Sequence, residues 1–258
     1  MTTGTTRRQL LGAAAAAPLA TLLANPTLTA VAAASTTTVN IETEDWGIPV
    51  MASLAQPDVT PAPPVILIHE FWGLNDQIKA VGAQLAKAGY IALSIDMYGG
   101  EVADERDTAM SLMTNVSEDA GVDTVKSWVN WLKKHPACTG KVASLGWCFG
   151  GGWSLEAAIE SSVDASIIYY GRVNAPLERI QKINAPVLGH FATLDAFINE
   201  PMVKGFEDNM TKAGKDLTVH WYEADHAFAN PTSARYDDKD AALSWERSMA
   251  FLKQHLGG

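Results

Sequence analysis

The chain has 258 residues, of which 47 % are apolar and 19 % are charged, and its formal net charge is −10. This length and apolar content predict one globular domain with a sizeable core. Because an acidic surface repels phosphate backbones and anionic lipids, we expect neither a nucleic-acid partner nor a membrane-surface partner.

The N-terminal segment 1–34 has the features of an export signal. Arg7 and Arg8 precede a run rich in alanine and leucine that is too short and weak to span a membrane, and the alanines at 32–34 offer a cleavage site. A pair of arginines ahead of such a run is typical of a twin-arginine signal. We therefore expect the export machinery to act on this segment and to deliver domain 35–258 to the periplasm or the extracellular space.

The rest of the chain alternates strand-like and helix-like segments. A hairpin is expected at 38–55, and PVILIHE (64–70) is an apolar run typical of a strand buried on both faces. Later strands are expected in YIALSID, KVASLGWC, ASIIYYG, APVLGHFATLD and LTVHWYEA, with helices between them and at the C-terminus. This pattern predicts an α/β fold with a mostly parallel, doubly wound sheet and helices on both faces, with function at the carboxyl ends of the strands.

The segment SLGWCFGGGW (144–153) places a cysteine between a predicted strand and a predicted helix. Residues 146–150 match the pattern G-x-nucleophile-x-G, whose glycines allow a sharp strand-to-helix turn. The helix N-terminus favours a thiolate and a developing oxyanion. Cys148 is therefore the candidate nucleophile, and a small packed cysteine in a glycine-rich turn is the alternative interpretation.

The second cysteine, Cys138, is not expected to pair with Cys148. A strand rises roughly 3.3 Å per residue, so the predicted strand between them would hold the two sulfurs beyond bonding distance. Cys148 is therefore expected to be a free thiol.

A thiol nucleophile needs a base, and His226 follows the last predicted strand, where a triad histidine belongs. Asp195 ends the strand APVLGHFATLD and lies between Cys148 and His226 in sequence, which is the order found in α/β-hydrolases. Asp225 is an alternative orienting carboxylate, but a sequence neighbour of the histidine should point away from its ring.

Together these motifs make the chain similar to the dienelactone hydrolase family of α/β-hydrolases. The resemblance extends from about residue 40 to the C-terminus and rests on HEFWGLN (69–75), GWCFGGG (146–152), Asp195 and DHAFAN (225–230). It implies an α/β-hydrolase fold and cleavage of a small ester or lactone through a Cys-His-Asp triad and a thioester intermediate.

The resemblance also implies roles for single residues. Cys148 would be the nucleophile, His226 the base and then the acid, and Asp195 the group that orients His226. Glu70 would hold the resting thiol and give way when substrate binds. The backbone N–H groups of Phe71 and Phe149 would form the oxyanion hole.

One departure from the family bears on the substrate. Members that cleave dienelactones hold the substrate carboxylate with two arginines, and Gly100 and Asn230 stand near those positions here. Arg106 or Arg172 could supply a cation from elsewhere. The substrate therefore need not be an anionic lactone.

The sequence leaves two functions open besides hydrolysis. No cofactor or metal is expected, because no histidine and carboxylate cluster has ligand spacing. One alternative is a non-catalytic protein that binds a ligand or partner, with Cys148 and His226 as packing residues. The other is redox chemistry at the thiol, although no resolving cysteine is expected nearby.

Overall fold

The computed structural model describes residues 12–14 and 17–257. Its eight strands are β1 (Thr37–Glu42), β2 (Pro49–Ala55), β3 (Pro64–Ile68), β4 (Ile91–Ile95), β5 (Ala143–Trp147), β6 (Ala165–Tyr169), β7 (Val187–Ala192) and β8 (Leu217–Tyr222). They form one sheet in the order β1-β2-β4-β3-β5-β6-β7-β8. The β1/β2 and β2/β4 pairs are antiparallel, and all other neighbours are parallel.

Helices cover both faces of this sheet. They are α1 (Leu19–Leu23), α2 (Pro26–Ala33), α3 (Asp76–Lys87), α4 (Arg106–Asn115), α5 (Glu118–Lys134), α6 (Phe149–Glu160), α7 (Leu177–Ile180), α8 (Glu200–Lys212) and α9 (Asp238–Leu256). Within the described ranges, no helix combines the length and the apolar character needed to cross a membrane.

The burial of the central strands accounts for the unbroken apolar runs in their sequence. Every residue of β3, β4, β5, β6 and β7 is buried, as expected for parallel strands covered on both sides. Two apolar clusters result, one on each face of the sheet. The predicted α/β class, with a mostly parallel and doubly wound sheet, is confirmed.

The predicted N-terminal hairpin is also present. β1 and β2 pair from Thr37 with Leu54 to Glu42 with Pro49. The connecting turn is fixed from outside, because the buried carboxylate of Asp123 on α5 accepts the backbone N–H groups of Asp45 and Trp46, each at 3.1 Å. The hairpin is thus tied to the domain by a charged hydrogen-bond acceptor as well as by the sheet.

The predicted signal segment lies partly within the described residues, whereas Arg7 and Arg8 lie outside them. The helices α1 and α2 pack against α3, with Leu22 and Leu23 buried in the apolar cluster on that face. Gln84 Nε2 on α3 donates to the carbonyl groups of Ala14 and Ala17, at 3.2 and 3.3 Å. The N-terminal segment therefore covers apolar surface of the domain in the full chain.

We predict that Asp123→Ala lowers the free energy of unfolding by about 2 kcal/mol, because it leaves two backbone N–H groups of the hairpin turn without their charged acceptor. Denaturant titration measures this change. Asp119→Ala, an exposed substitution in the same helix, is the control and should cost less than about 1 kcal/mol. Equal effects of the two substitutions would contradict the assigned role of Asp123.

Candidate active site

The sharp turn predicted around Cys148 is present. β5 ends at Trp147 and α6 begins at Phe149, and between them Cys148 has a φ of 54°, in the left-handed region that non-glycine residues rarely adopt. A Cβ on Gly146 would collide with the carbonyl group of Gly150, and one on Gly150 would collide with backbone at the end of β3. The glycines of the motif are therefore required by close backbone approach.

The turn brings the thiol to the predicted histidine and aspartate. Cys148 Sγ lies 3.1 Å from His226 Nε2, and His226 Nδ1 lies 2.7 Å from Asp195 Oδ2. Cys148 follows β5, Asp195 lies three residues beyond β7, and His226 lies in the loop after β8. Three carboxyl ends of parallel strands thus contribute to one hydrogen-bonded chain.

Asp195, and not Asp225, is the carboxylate that contacts the imidazole. Asp195 is buried, and its Oδ1 accepts the N–H groups of Phe197 and Ile198 at 2.8 and 3.0 Å. Burial opposes its ionisation, but hydrogen bonds from His226 and these two backbone groups lower the pKa of Asp195 overall. Asp225 instead accepts the backbone N–H of His226.

The charge on His226 follows from its two partners. Burial lowers the pKa of the imidazole, but the hydrogen bonds to Asp195 and Cys148, together with their negative charges, raise that pKa to about 10. The imidazole is therefore held in its protonated form between a carboxylate and a sulfur.

Glu70 lies beside this chain without a hydrogen bond to the thiol. Its carboxylate is buried and accepts hydrogen bonds from the hydroxyl of Tyr170, at 3.2 Å, and from Asn230 Nδ2. Burial raises the pKa of Glu70, and the amide of Asn230 and the charge of His226 only partly oppose this. The family resemblance implies an arginine near this position, whereas this chain has Asn230, whose amide is neutral.

Tyr170 is a site residue that sequence reasoning missed. It follows β6 directly, has a φ of 36°, and places its ring 5.2 Å from the imidazole of His226. The sequence does contain a signal for Tyr170, because this residue stands at the carboxyl end of a predicted strand, as Cys148 and Glu70 do.

The two residues predicted to supply the oxyanion donors, Phe71 and Phe149, line the same cavity. Phe149 is the first residue of α6, so its N–H has no partner within the helix. Phe71 lies in the turn after β3, and the described part of the chain provides no acceptor for its N–H. Both residues line the cavity in front of Cys148.

The other candidate groups lie apart from this chain of hydrogen bonds. His69 is fully buried, and burial lowers its pKa to about 4 despite a hydrogen bond with the Glu70 carbonyl. Cys138 and Cys148 are both free thiols, and burial raises the pKa of Cys138 to about 11. Within residues 12–14 and 17–257, no group of three or more His, Cys, Asp or Glu side chains is arranged to hold a metal ion.

A cavity of about 1020 Å³ opens in front of the thiol. Arg106, Arg172, Arg179 and Arg235 all lie on its wall. Arg179 is paired with glutamates, among them Glu156, whereas no ion pair of the other three is seen among the described residues. The cavity therefore contains cations although the chain as a whole is acidic.

Comparison with known proteins agrees with this architecture. Residues 50–256 match the description "Dienelactone hydrolase family". The carboxymethylenebutenolidase of Pseudomonas putida is 30 % identical over 216 residues, which cover 78 % of this chain and 89 % of that protein. Carboxymethylenebutenolidase 1 of Cupriavidus pinatubonensis is 27 % identical over 211 residues, which cover 78 % and 90 %.

A solved structure shares the fold. It is a dienelactone hydrolase-like phosphotriesterase from metagenomic libraries, with a TM-score of 0.79 and 23 % identity, and the match covers 86 % of this chain and 100 % of that one. The predicted α/β-hydrolase fold is confirmed. The family match over most of the chain and the two relatives show that this chain belongs to the dienelactone hydrolase family, and that it is a hydrolase of esters or lactones.

Proposed function

We propose that this hydrolase cleaves its ester or lactone substrate through a thioester on Cys148, with His226 as the base and acid and Asp195 as the orienting group. The observation that carries the proposal is the continuous chain of contacts from sulfur to imidazole to carboxylate, at 3.1 and 2.7 Å. These distances permit proton transfer without rearrangement.

In the first half of the reaction, the Cys148 thiolate attacks the carbonyl carbon and the carbonyl electrons move to oxygen. The N–H groups of Phe71 and Phe149 donate hydrogen bonds to this oxyanion. When the tetrahedral intermediate collapses, the bond from carbon to the alcohol oxygen breaks, and His226 gives that oxygen its proton. A thioester remains on Cys148.

In the second half, water replaces the alcohol. Neutral His226 removes a proton from water while the water oxygen attacks the thioester carbonyl. Collapse of the second intermediate breaks the carbon–sulfur bond and returns the electron pair to Cys148, so the acid product leaves beside a protonated imidazole. Asp195 keeps Nδ1 protonated throughout and thereby leaves Nε2 free for both transfers.

Glu70 belongs to the same site but not to the transfer chain. Its hydrogen bonds to Tyr170 and Asn230 hold it near His226. We assign Glu70 a positioning role through these two partners; the contact with the resting thiol that the family resemblance implies is not formed in this structure, where Cys148 contacts His226 instead.

We predict that Cys148→Ala and His226→Gln each lower kcat/KM for a short activated ester by at least about 10³-fold, because members of a triad act as a unit. Steady-state hydrolysis and detection of an acylated Cys148 by mass spectrometry check this. Cys138→Ala removes the other free thiol, which lies outside the cavity, and should leave kcat/KM unchanged. Activity of Cys148→Ala within about tenfold of the unsubstituted protein would contradict the proposal.

The charge state of His226 gives a second prediction. Its pKa is raised to about 10, so the ring should stay protonated at neutral pH and lose its proton only in strongly alkaline solution. Cys148→Ala removes one hydrogen bond and one negative charge that raise this pKa, and the pKa should therefore fall. Nuclear magnetic resonance titration, with the signal assigned through His226→Gln, measures both values. An unchanged pKa in Cys148→Ala, as expected for the control Cys138→Ala, would contradict a thiolate partner.

We further propose that segment 1–34 directs export to the periplasm or the extracellular space and is then removed. Arg7 and Arg8 with the following apolar run support this. Ala34 and Ser35, on either side of the expected cleaved bond, are both exposed where α2 ends, whereas Ala32 and Ala33 are buried.

We predict that replacing both Arg7 and Arg8 with lysine strongly reduces the exported fraction, because a twin-arginine signal is read by its arginines and not by charge alone. Cell fractionation and N-terminal sequencing of the exported protein measure export and the cleavage position. Replacing the neighbouring Thr5 and Thr6 with alanine is the matched control. Unchanged export of the lysine variant would contradict this signal type.

A further inference from the structure

Helix α4 contributes one face to the active-site cavity. Its residues Arg106, Met110, Met113 and Thr114 all line the cavity, and their spacing places them on the same side of the helix. Only Ala109 of this helix is buried. α4 therefore lies at the surface beside the cavity instead of adding to the core.

The two methionines on this face are not accounted for by packing. Met110 is 39 % exposed, and Met113 is only half-buried. Apolar groups left exposed inside a concave site, next to charged groups, mark a binding surface for apolar ligand. Methionine suits this role because its unbranched, polarizable side chain adapts to differing shapes.

Apolar side chains from other elements complete this part of the cavity. They are Val116, Trp153, Leu155 and Ile198, of which the last three are less than one-tenth exposed. Because pockets for drug-sized ligands range from about 300 to 1,000 Å³, a cavity of about 1020 Å³ has room for more than a reacting lactone ring.

We propose that Met110 and Met113 form a subsite for an apolar alkyl or aryl substituent that extends from the scissile ester group. This inference rests on the proposed function, since it places the ester carbonyl at Cys148. The substituent lies against the α4 face, and its burial adds to binding and to transition-state stabilisation.

The test compares three esters. Ethyl acetate has no long chain, ethyl hexanoate has a long chain on the acyl side, and hexyl acetate has a long chain on the alcohol side. A buried methylene corresponds to about a fourfold gain, so kcat/KM for at least one long ester should exceed that of ethyl acetate by about tenfold or more. The long ester with the higher kcat/KM shows whether the acyl side or the alcohol side of the substrate lies against α4.

The matched variants keep the helix and change only its polarity. Met110→Gln combined with Met113→Gln should reduce the preference for the long ester to within about threefold, with ethyl acetate affected by less than about twofold, because glutamine has similar length and helix propensity. Leu112→Gln is the control, since Leu112 is half-buried on α4 and does not line the cavity. An equal change in both variants, or no long-chain preference in the unsubstituted protein, would overturn the subsite.

Binding in the Cys148→Ala background separates this inference from the proposed chemistry. The long ester should raise the melting temperature more than ethyl acetate does, and the methionine substitutions should remove that difference. This result can be read even if the unsubstituted protein hydrolyses none of the esters, an outcome that would contradict the proposed function alone. Equal shifts with the long and the short ester would overturn the subsite.

Discussion

The active site depends on a close approach of backbones at the turn between β5 and α6. Gly146 and Gly150 leave room for chain segments that any side chain would push apart. Cys148 itself is held at a φ of 54°, and its N–H donates to the carbonyl of Tyr169 at 3.0 Å. Since strain of this kind persists only where the surroundings fix it, the buried parallel strands are what keep the sulfur raised above the sheet edge.

Two carboxylates at this edge of the sheet, those of Asp195 and Glu70, lie in different surroundings. Asp195 accepts two backbone N–H groups and the imidazole, so its pKa is lowered and it stays ionised. Glu70 is also buried, but it accepts hydrogen bonds only from neutral groups, and its pKa is raised. Environment thus gives two similar side chains different charge behaviour within one site.

The cavity wall carries charges of both signs, with Glu70, Glu118 and Glu156 among its acidic groups. Arg106, Arg172 and Arg235 line the wall although the chain carries a formal charge of −10. The apolar part of the same wall, with Met110 on α4, adds a second kind of environment. Arg106 lies on the same face of α4 as Met110, so a cation and apolar surface adjoin on this part of the wall.

The sequence by itself determined the alternation of strands and helices, because buried strands must be apolar throughout and amphipathic helices must repeat every three to four residues. It also predicted that Cys148, His226 and Asp195 lie close together, since each follows a strand and the carboxyl ends of parallel strands meet at one edge. Tyr170 had the same placement, but an aromatic residue after an apolar strand is indistinguishable from packing when only neighbours in sequence are known.

Only the tertiary structure decided which groups touch. The partners of Glu70, 100 and 160 residues away in sequence, are Tyr170 and Asn230. Likewise, only the packing of the loops after β7 and β8 shows that Asp195, and not Asp225, contacts the imidazole of His226. Hydrogen bonds between distant segments depend on how loops cross the sheet edge, and no local preference of the chain encodes that geometry.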